Sequence, residues 1–359
     1  MIEIDGSYLE GGGQILRTAI ALSAITKKPC RIFNIRKNRP KPGLMPQHLL
    51  GIQALSQLCG ASVEGAELGS QEILFYPGQI SSKDLHIKIE TAGSITLVLQ
   101  TLIPAALFVP SPIRILFEGG ATDTFFSPTI DYFRYVFLKI LEKMGQRVEI
   151  EILKRGYYPE GGAKIQAKIF PPSTKSLQCN PASCLNDREK IRILETLELI
   201  ERGGLEKILV ISGASLYLKE KRVAERQIAG TREVLGKLKL PIEEKTEYYE
   251  TSCPGSQICL VAQFENTVMG TDNLGKLGKR AEDVGKEAAL ELLKEQKTKA
   301  CLDKHLGDQI LPYLPLTKRK SQVLVSEITN HTKTNIWVIE KFLEGKFEIK
   351  ENLISWLWD

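Results

Sequence analysis

The chain has 359 residues, 43% of them hydrophobic and 25% charged, with a formal net charge of +5. That suffices for a packed core, as one large domain with a smaller one or as two to three units, and the basic excess is too small to argue by itself for nucleic-acid binding. Apolar runs of bilayer-crossing length are missing, the acid-bearing start has no secretory signature, and seven scattered cysteines without a C-x-x-C pair exclude a zinc ribbon or disulfide scaffold, so a reduced, cytoplasmic setting is expected.

From the N-terminus, the first feature is the turn Glu10-Gly11-Gly12-Gly13-Gln14-Ile15-Leu16-Arg17. It leads into a helix predicted over Gln14–Thr26. Consecutive glycines permit positive φ and close ligand approach, and amides at a helix start suit an anion. A tight turn in a repeat fold would read the same way. Gln14 and Arg17 share one side of this helix. With Glu10 they would suit a metal–phosphate site, Glu10 holding a hard cation and Arg17 a phosphate.

A strand follows at Arg31–Asn34 within an acid-free run of five cations, Arg31, Arg36, Lys37, Arg39 and Lys41. Such a run can contact phosphates or be a solvated loop. His48 begins the helix predicted over Gln47–Leu58, where it could bind phosphate or cap the helix. Strands at Ile73–Tyr76 and Leu85–Ile89 precede a helix over Ser94–Phe108, in which Gln100 interrupts an apolar run. A buried amide there needs a partner or a cleft. A strand at Ile113–Glu118, a helix at Ile130–Met144 and strands at Arg147–Leu153 and Ala163–Ile169 follow. The last two flank a second glycine turn, Arg155–Ala163. Leu58-Cys59-Gly60 and Lys143-Met144-Gly145 both end helices on a glycine suited to left-handed geometry.

Helix–Gly–strand–turn–strand recurs roughly every 80 to 90 residues, suggesting about three βαβαββ-like units, each a helix-backed sheet. The fold class is therefore α/β (α+β). Between 182 and 271 the texture changes. Charged helical runs are expected at Asp187–Arg202 and Glu220–Lys239, with strands at Lys207–Ser212 and Ser256–Phe264. This reads as a small α/β domain inserted into a repeat domain of residues 1–181 and 272–359. Helices at Ala281–Gln296, Lys304–Leu314 and Thr334–Leu343 and strands at Gln322–Val325 and Phe347–Lys350 complete the chain.

Two late motifs could carry chemistry. His305, Asp308 and Gln309 fall on one helical face, either surface or site. His331 lies in Thr329-Asn330-His331-Thr332-Lys333-Thr334-Asn335, a string rich in N-capping residues. A helix N-terminus disfavours imidazolium, and a neutral ring can attack phosphorus. A capping-turn histidine is the alternative. No P-loop, Rossmann fingerprint or G-x-S-x-G is present.

The segments Glu10–Arg17, Arg36–His48, Gly93–Gln100, Gly119–Asp131, Arg155–Gly162, His305–Gln309 and His331–Phe342 together resemble, in order, the RNA 3′-terminal phosphate cyclase family. Ala163 stands where the family signature usually has a third glycine. The resemblance implies three repeats like the C-terminal domain of a bacterial translation initiation factor, plus an inserted α/β domain. It also implies a three-step reaction. A histidine attacks the α-phosphorus of ATP and expels pyrophosphate. AMP passes to an RNA 3′-phosphate as an anhydride. The vicinal 2′-OH then displaces AMP to leave a 2′,3′-cyclic phosphate. By motif, His331 would be the nucleophile, and Glu10 would hold a divalent metal (Mg2+ or Mn2+). Gln100, His305, Leu306, Gly307, Asp308 and Gln309 would line the ATP site. Gln14, Arg17, Arg36, Arg39, Gln47 and His48 would meet phosphates of nucleotide and RNA end. A non-catalytic relative in ribosome biogenesis, an enolpyruvyl-type transferase and a plain RNA-binding module are the competing readings.

Overall fold

The computed structural model describes residues 1–9, 11–172 and 193–358; Glu10, the expected metal ligand, lies outside the described residues. Strands β1 (Ile2–Asp5), β2 (Cys30–Phe33), β3 (Ser62–Glu64) and β4 (Ile73–Tyr76) form the first sheet, in the order β1-β2-β4-β3. Helices Gly13–Thr26 and Pro46–Cys59 belong to it. The second sheet runs β5-β6-β8-β7, from β5 (Leu85–Ser94), β6 (Ile113–Ala121), β7 (Val148–Lys154) and β8 (Lys164–Ile169). Its helices are Ile95–Ala106 and a stretch built from Ile130–Tyr132, a wide turn at Phe133–Phe137 and Leu138–Lys143.

The chain then makes β9 (Glu198–Leu199) and leaves for another sheet: β10 (Leu205–Ser215), β11 (Ile242–Tyr249), β12 (Ser256–Phe264) and β13 (Val268–Leu274), ordered β11-β10-β12-β13. It returns through helix Lys304–Gln309, β14 (Gln322–Leu324), helix Asn330–Phe342, β15 (Lys346–Lys350) and β16 (Leu353–Leu357). These strands complete a sheet of order β9-β14-β16-β15. Three sheets therefore share one order, and in each the first two strands are parallel while the other pairs are antiparallel. This is a mixed α/β architecture.

Side-chain alternation explains how the 205–274 sheet attaches. Leu209 and Ile211 of β10 and Cys259 and Val261 of β12 join the main core. Their neighbours Ile208, Val210, Ile258 and Leu260 form a second core with Ile228, Val284, Ala288 and Leu292. The period of two thus turns one face of the sheet inward and gives the other to helices Val223–Leu235 and Ala281–Lys297. These helices cross closely: a Cβ on Gly230 would lie 1.9 Å from the Glu282 carbonyl oxygen, and one on Gly285 1.9 Å from that of Gln227.

Several local expectations change. Of the helical run expected at Asp187–Arg202, residues 193–202 hold no helix. Leu197 and Leu199 are buried while Glu198 and Ile200 are exposed, so the strand period governs and β9 forms. The last major helix begins at Asn330 instead of Thr334, because Thr329 Oγ1 accepts the Thr332 N–H at 3.0 Å. Strands β1, β11, β13 and β16 were not foreseen, and Thr271, the expected end of the insert, lies within β13. Gly60 and Gly145 do take left-handed geometry, with φ of 61° and 81°. In the second glycine turn Gly161 and Gly162 have φ of 73° and 75°, and Ala163 stays outside the positive-φ region, so alanine is tolerated there.

Arg155 opens that turn and is 2% exposed. Its Nη1 donates to Asp123 at 3.0 Å and its Nη2 to both oxygens of Asp131 at 2.7 Å. The guanidinium carbon sits 4.5 Å from the Tyr249 ring centroid, and Gln257 Nε2 also donates to Asp131 at 3.3 Å, so β11 and β12 are tied to the second sheet. Burial and the nearby Asp131 still push Asp123 up to about 6. Arg155→Met would strand two buried carboxylates; it should lower unfolding free energy by about 3–5 kcal/mol, read from urea denaturation.

Candidate active site

Helices from all three sheets of common order converge on one cavity of about 450 Å³, with Leu97, Gln100 and Pro104 contributed by Ile95–Ala106. Gln14, Arg17 and Thr18 come from the Gly13–Thr26 helix, His305, Asp308 and Gln309 from Lys304–Gln309, and His331 and Asn335 from Asn330–Phe342. Asn335 is the joint. Its Oδ1 accepts the Thr18 hydroxyl at 2.8 Å, and its Nδ2 donates to the Asp308 carbonyl at 2.8 Å. Asp303 seats the short helix: its carboxylate accepts the N–H groups of His305 and Leu306, the Tyr132 hydroxyl at 2.7 Å and the Gly270 N–H at 3.1 Å.

His331 is the second residue of its helix, inside the first turn. Its Nδ1 is hydrogen-bonded to Gln14 Oε1. An amide oxygen only accepts, so Nδ1 carries the hydrogen, and in the neutral ring the lone pair belongs to Nε2. That is the tautomer a nucleophilic imidazole needs. Opposite it, the buried Gln100 Nε2 and Gln309 Oε1 have no hydrogen-bond partner in the protein, although both residues line the cavity. Buried amides in that state are satisfied by a ligand or water.

The glycine turn immediately precedes Gln14 and Arg17 of the cavity wall; Arg36, Arg39, Gln47 and His48 gather around the turn and do not line the cavity itself. Gly12 is the N-cap and offers no side-chain cap, and the first helical turn holds no acid. A methyl on Gly13 would lie 2.3 Å from His48 Nε2 and 3.3 Å from Arg17 Nη1; one on Gly12 would lie 3.4 Å from Arg39 Nη2. Arg17, Arg39 and His48 thus press against the turn itself. His48 Nδ1 accepts the Met45 N–H at 3.0 Å, so Nε2–H faces the glycines as a donor. Burial and the charges of Arg17 and Arg36 push its pKa down to about 3, so the ring is neutral. Arg36, with φ of 54°, donates from Nη1 to the Gly43 carbonyl at 3.1 Å. Gln47 is exposed on the first turn of Pro46–Cys59.

Burial sets the remaining charges. It lowers Arg17 to about 10, which leaves it cationic at pH 7. It pushes the Asp308 carboxyl up to about 8 against the attraction of Arg17, so that acid is largely protonated at pH 7. Leu306 and Gly307, expected to line the site, do not: Leu306 is in the core, and a Cβ on Gly307 would touch Val325 at 2.9 Å. They turn inward because residues 305, 308 and 309 occupy the outward face of one short helix. Conversely, Thr18, Asn335, Tyr132 and Asp272 line the cavity unforeseen. Only Asn335 left a trace in the sequence, as an amide one helical turn after His331. Among the described residues no group of three His, Cys, Asp or Glu side chains could hold a metal.

Fold and site together describe a mixed α/β protein whose cavity, with a cation-flanked glycine turn just ahead of its Gln14–Arg17 wall, suits a phosphorylated ligand. A family model described as RNA 3′-terminal phosphate cyclase matches residues 8–349. Relatives bearing that name include one from Pyrococcus furiosus, 47% identical over 98% of this chain and 95% of its own. Another, from Methanopyrus kandleri, is 41% identical over 98% and 95%. The chain belongs to the RNA 3′-terminal phosphate cyclase family. A solved enolpyruvyl transferase, NikO from Streptomyces tendae, is also similar over 45% of this chain and 30% of its own, at 15% identity and a TM-score of 0.26, too slight to bear on function.

Two outcomes test this geometry. Asn335→Ala would leave the Thr18 hydroxyl and the Asp308 carbonyl unpaired; a loss of about 1–3 kcal/mol is expected from denaturant midpoints. For Asp308, the folded pKa exceeds the ordinary 3.8, so the native state binds the extra proton and stability falls as pH rises from about 4 to 8. Asp308→Asn should flatten that fall by up to about 1.4 kcal/mol per pH unit, measured by urea unfolding across the window.

Proposed function

We propose that the chain uses ATP to convert an RNA 3′-terminal phosphate into a 2′,3′-cyclic phosphodiester. The carrying observation is the His331 imidazole, held through Nδ1 by Gln14 in the wall of a nucleotide-sized cavity. Nε2 attacks the α-phosphorus of ATP. The bond to the β-phosphate bridging oxygen breaks, and pyrophosphate leaves with that electron pair. An oxygen of the RNA 3′-phosphate then attacks the same phosphorus and displaces the imidazole, forming an RNA–pp–A anhydride. The vicinal 2′-OH attacks the RNA phosphorus, loses its proton and expels AMP. Adenylylation is what makes this last step feasible, since it replaces an unactivated phosphate oxygen with AMP as leaving group.

Each role rests on chemistry of the chain's own side chains. The orphaned amides of Gln100 and Gln309, with His305 and Asp308, line the nucleotide site. A protonated Asp308 can donate a hydrogen bond without repelling phosphate. Arg17, Arg36 and Arg39 neutralise charge on non-bridging oxygens, and His48 adds an uncharged donor. Gln47 sits beside them on the solvent side. The family implies ATP as substrate.

We also read the three sheets of common order as three repeats of one unit. The 205–297 segment is then an insert between the first strand and first helix of the third. Its far boundary moves beyond 271, because helix Ala281–Lys297 packs in the same second core as β10 and β12.

The test is incubation with α-labelled ATP. Protein-bound label should be acid-labile and base-stable, as a phosphoramidate is, and should vanish in His331→Ala. That variant should cyclise a 3′-phosphorylated oligoribonucleotide about a thousandfold more slowly or worse, with an unchanged melting temperature. Retained turnover would refute the assignment.

A further inference from the structure

Beside the glycine turn lies an aromatic surface that none of these steps uses. Tyr8 stands between β1 and the Gly13–Thr26 helix and is 38% exposed. Its ring stacks on Trp337, with centroids 4.3 Å apart and planes 18° from parallel. Lys341 Nζ lies 5.6 Å from the Trp337 centroid. Lys333 is exposed one turn before Trp337, so Lys333, Trp337 and Lys341 form a stripe at spacings of four on one helix face.

The stripe is continuous with the site. The Gly11 N–H donates to the Tyr8 carbonyl at 2.9 Å, so the Tyr8 backbone closes onto the glycine turn. Asn38, between Arg36 and Arg39, donates to the Ser7 carbonyl at 3.3 Å, which brings the basic run to the same loop. His331 lies on the same helix as Trp337, at its N-terminal end. The surface therefore combines a half-exposed ring, a second ring beneath it, flanking ammonium groups, and a border with the proposed phosphate site.

We propose that Tyr8 and Trp337 form a stacking ledge for the RNA strand that delivers the 3′-phosphate. The base of a nucleotide close to the terminus stacks on Tyr8, while Lys333 and Lys341 meet backbone phosphates. Stacking engages the π-face every base presents, and single-stranded ends can splay a base onto such a ring. Recognition by the ledge is thus indifferent to base identity. The inference rests on the cyclase reading, because that reading supplies the RNA end.

The alternative is a purely structural clamp that pins the 6–12 loop to the last helix. Tyr8→Ala and Tyr8→Phe separate the two. Binding of a 3′-phosphorylated oligoribonucleotide of about ten nucleotides would be measured by filter retention and by quenching of tryptophan fluorescence. A nucleoside 3′,5′-bisphosphate serves as the chainless control. Tyr8→Ala should weaken oligonucleotide binding about tenfold, leave the bisphosphate unaffected, and keep labelling by α-labelled ATP and the melting temperature at wild-type values. Tyr8→Phe should bind as wild type. Trp337→Phe should bind but lose the quench, and Lys333→Ala should lower the slope of log affinity against log salt by about 0.7.

Equal binding by Tyr8→Ala and wild type would overturn the ledge. So would a parallel loss of oligonucleotide binding, bisphosphate binding and labelling, which is the signature of a clamp. Absence of label in the wild type would instead sink the cyclase reading, and the binding measurements would still decide the ledge.

Discussion

A single buried amide holds the site together. Asn335 faces the Gly13–Thr26 helix with its oxygen and the Lys304–Gln309 helix with its nitrogen, and both bonds measure 2.8 Å. Each partner is a group that would otherwise be desolvated without compensation. The geometry of His331 against Gln14 follows, because His331 lies one turn earlier on the same helix. A site assembled from the chain's first helix and its last is only as accurate as this junction. Hydrophobic packing between the helices supplies adhesion, but it does not select one rotation over another; a directional amide does.

Charge in and around the cavity is governed by burial more than by pairing. Arg17 stays cationic, whereas His48 and Asp308 are pushed toward neutrality at pH 7. Arg17 thus keeps its charge beside two neighbours close to neutral, an arrangement that suits a ligand rich in phosphate. The contrast with Arg155 is instructive. There a buried guanidinium is matched by Asp123 and Asp131 and serves as a mechanical node between sheets. Arginine thus does two jobs in this fold.

The glycine turn acts through what it lacks. With no Cβ at residues 12 and 13, a guanidinium and an imidazole can press against the start of a helix whose own amides are uncapped. Side chains and main chain then converge on one point. On the reading advanced here, that point receives the RNA phosphate, the cavity beyond it holds the nucleotide, and the Tyr8–Trp337 surface guides the incoming strand.

Much of this was legible in the chain order. Regular apolar spacing marked nearly all the long helices, glycines at 60 and 145 marked their ends, and the triple glycine with Gln14 and Arg17 marked one wall of the cavity. The face shared by His305, Asp308 and Gln309 also followed from helical spacing. Less legible were strands such as β11, whose charged alternation hides their pairing, and Leu197 and Leu199, buried in a run that looked helical. Leu306 and Gly307 could not be told from their neighbours until the short helix had a side against the core. Local periodicity acts within a few residues, so sequence determined the elements, their caps and the residue types able to handle phosphate. Only the tertiary structure decided that residues 14 and 331 share a hydrogen bond, that Asp308 loses its charge, and that Tyr8 meets Trp337, since desolvation and side-chain direction depend on partners hundreds of positions away.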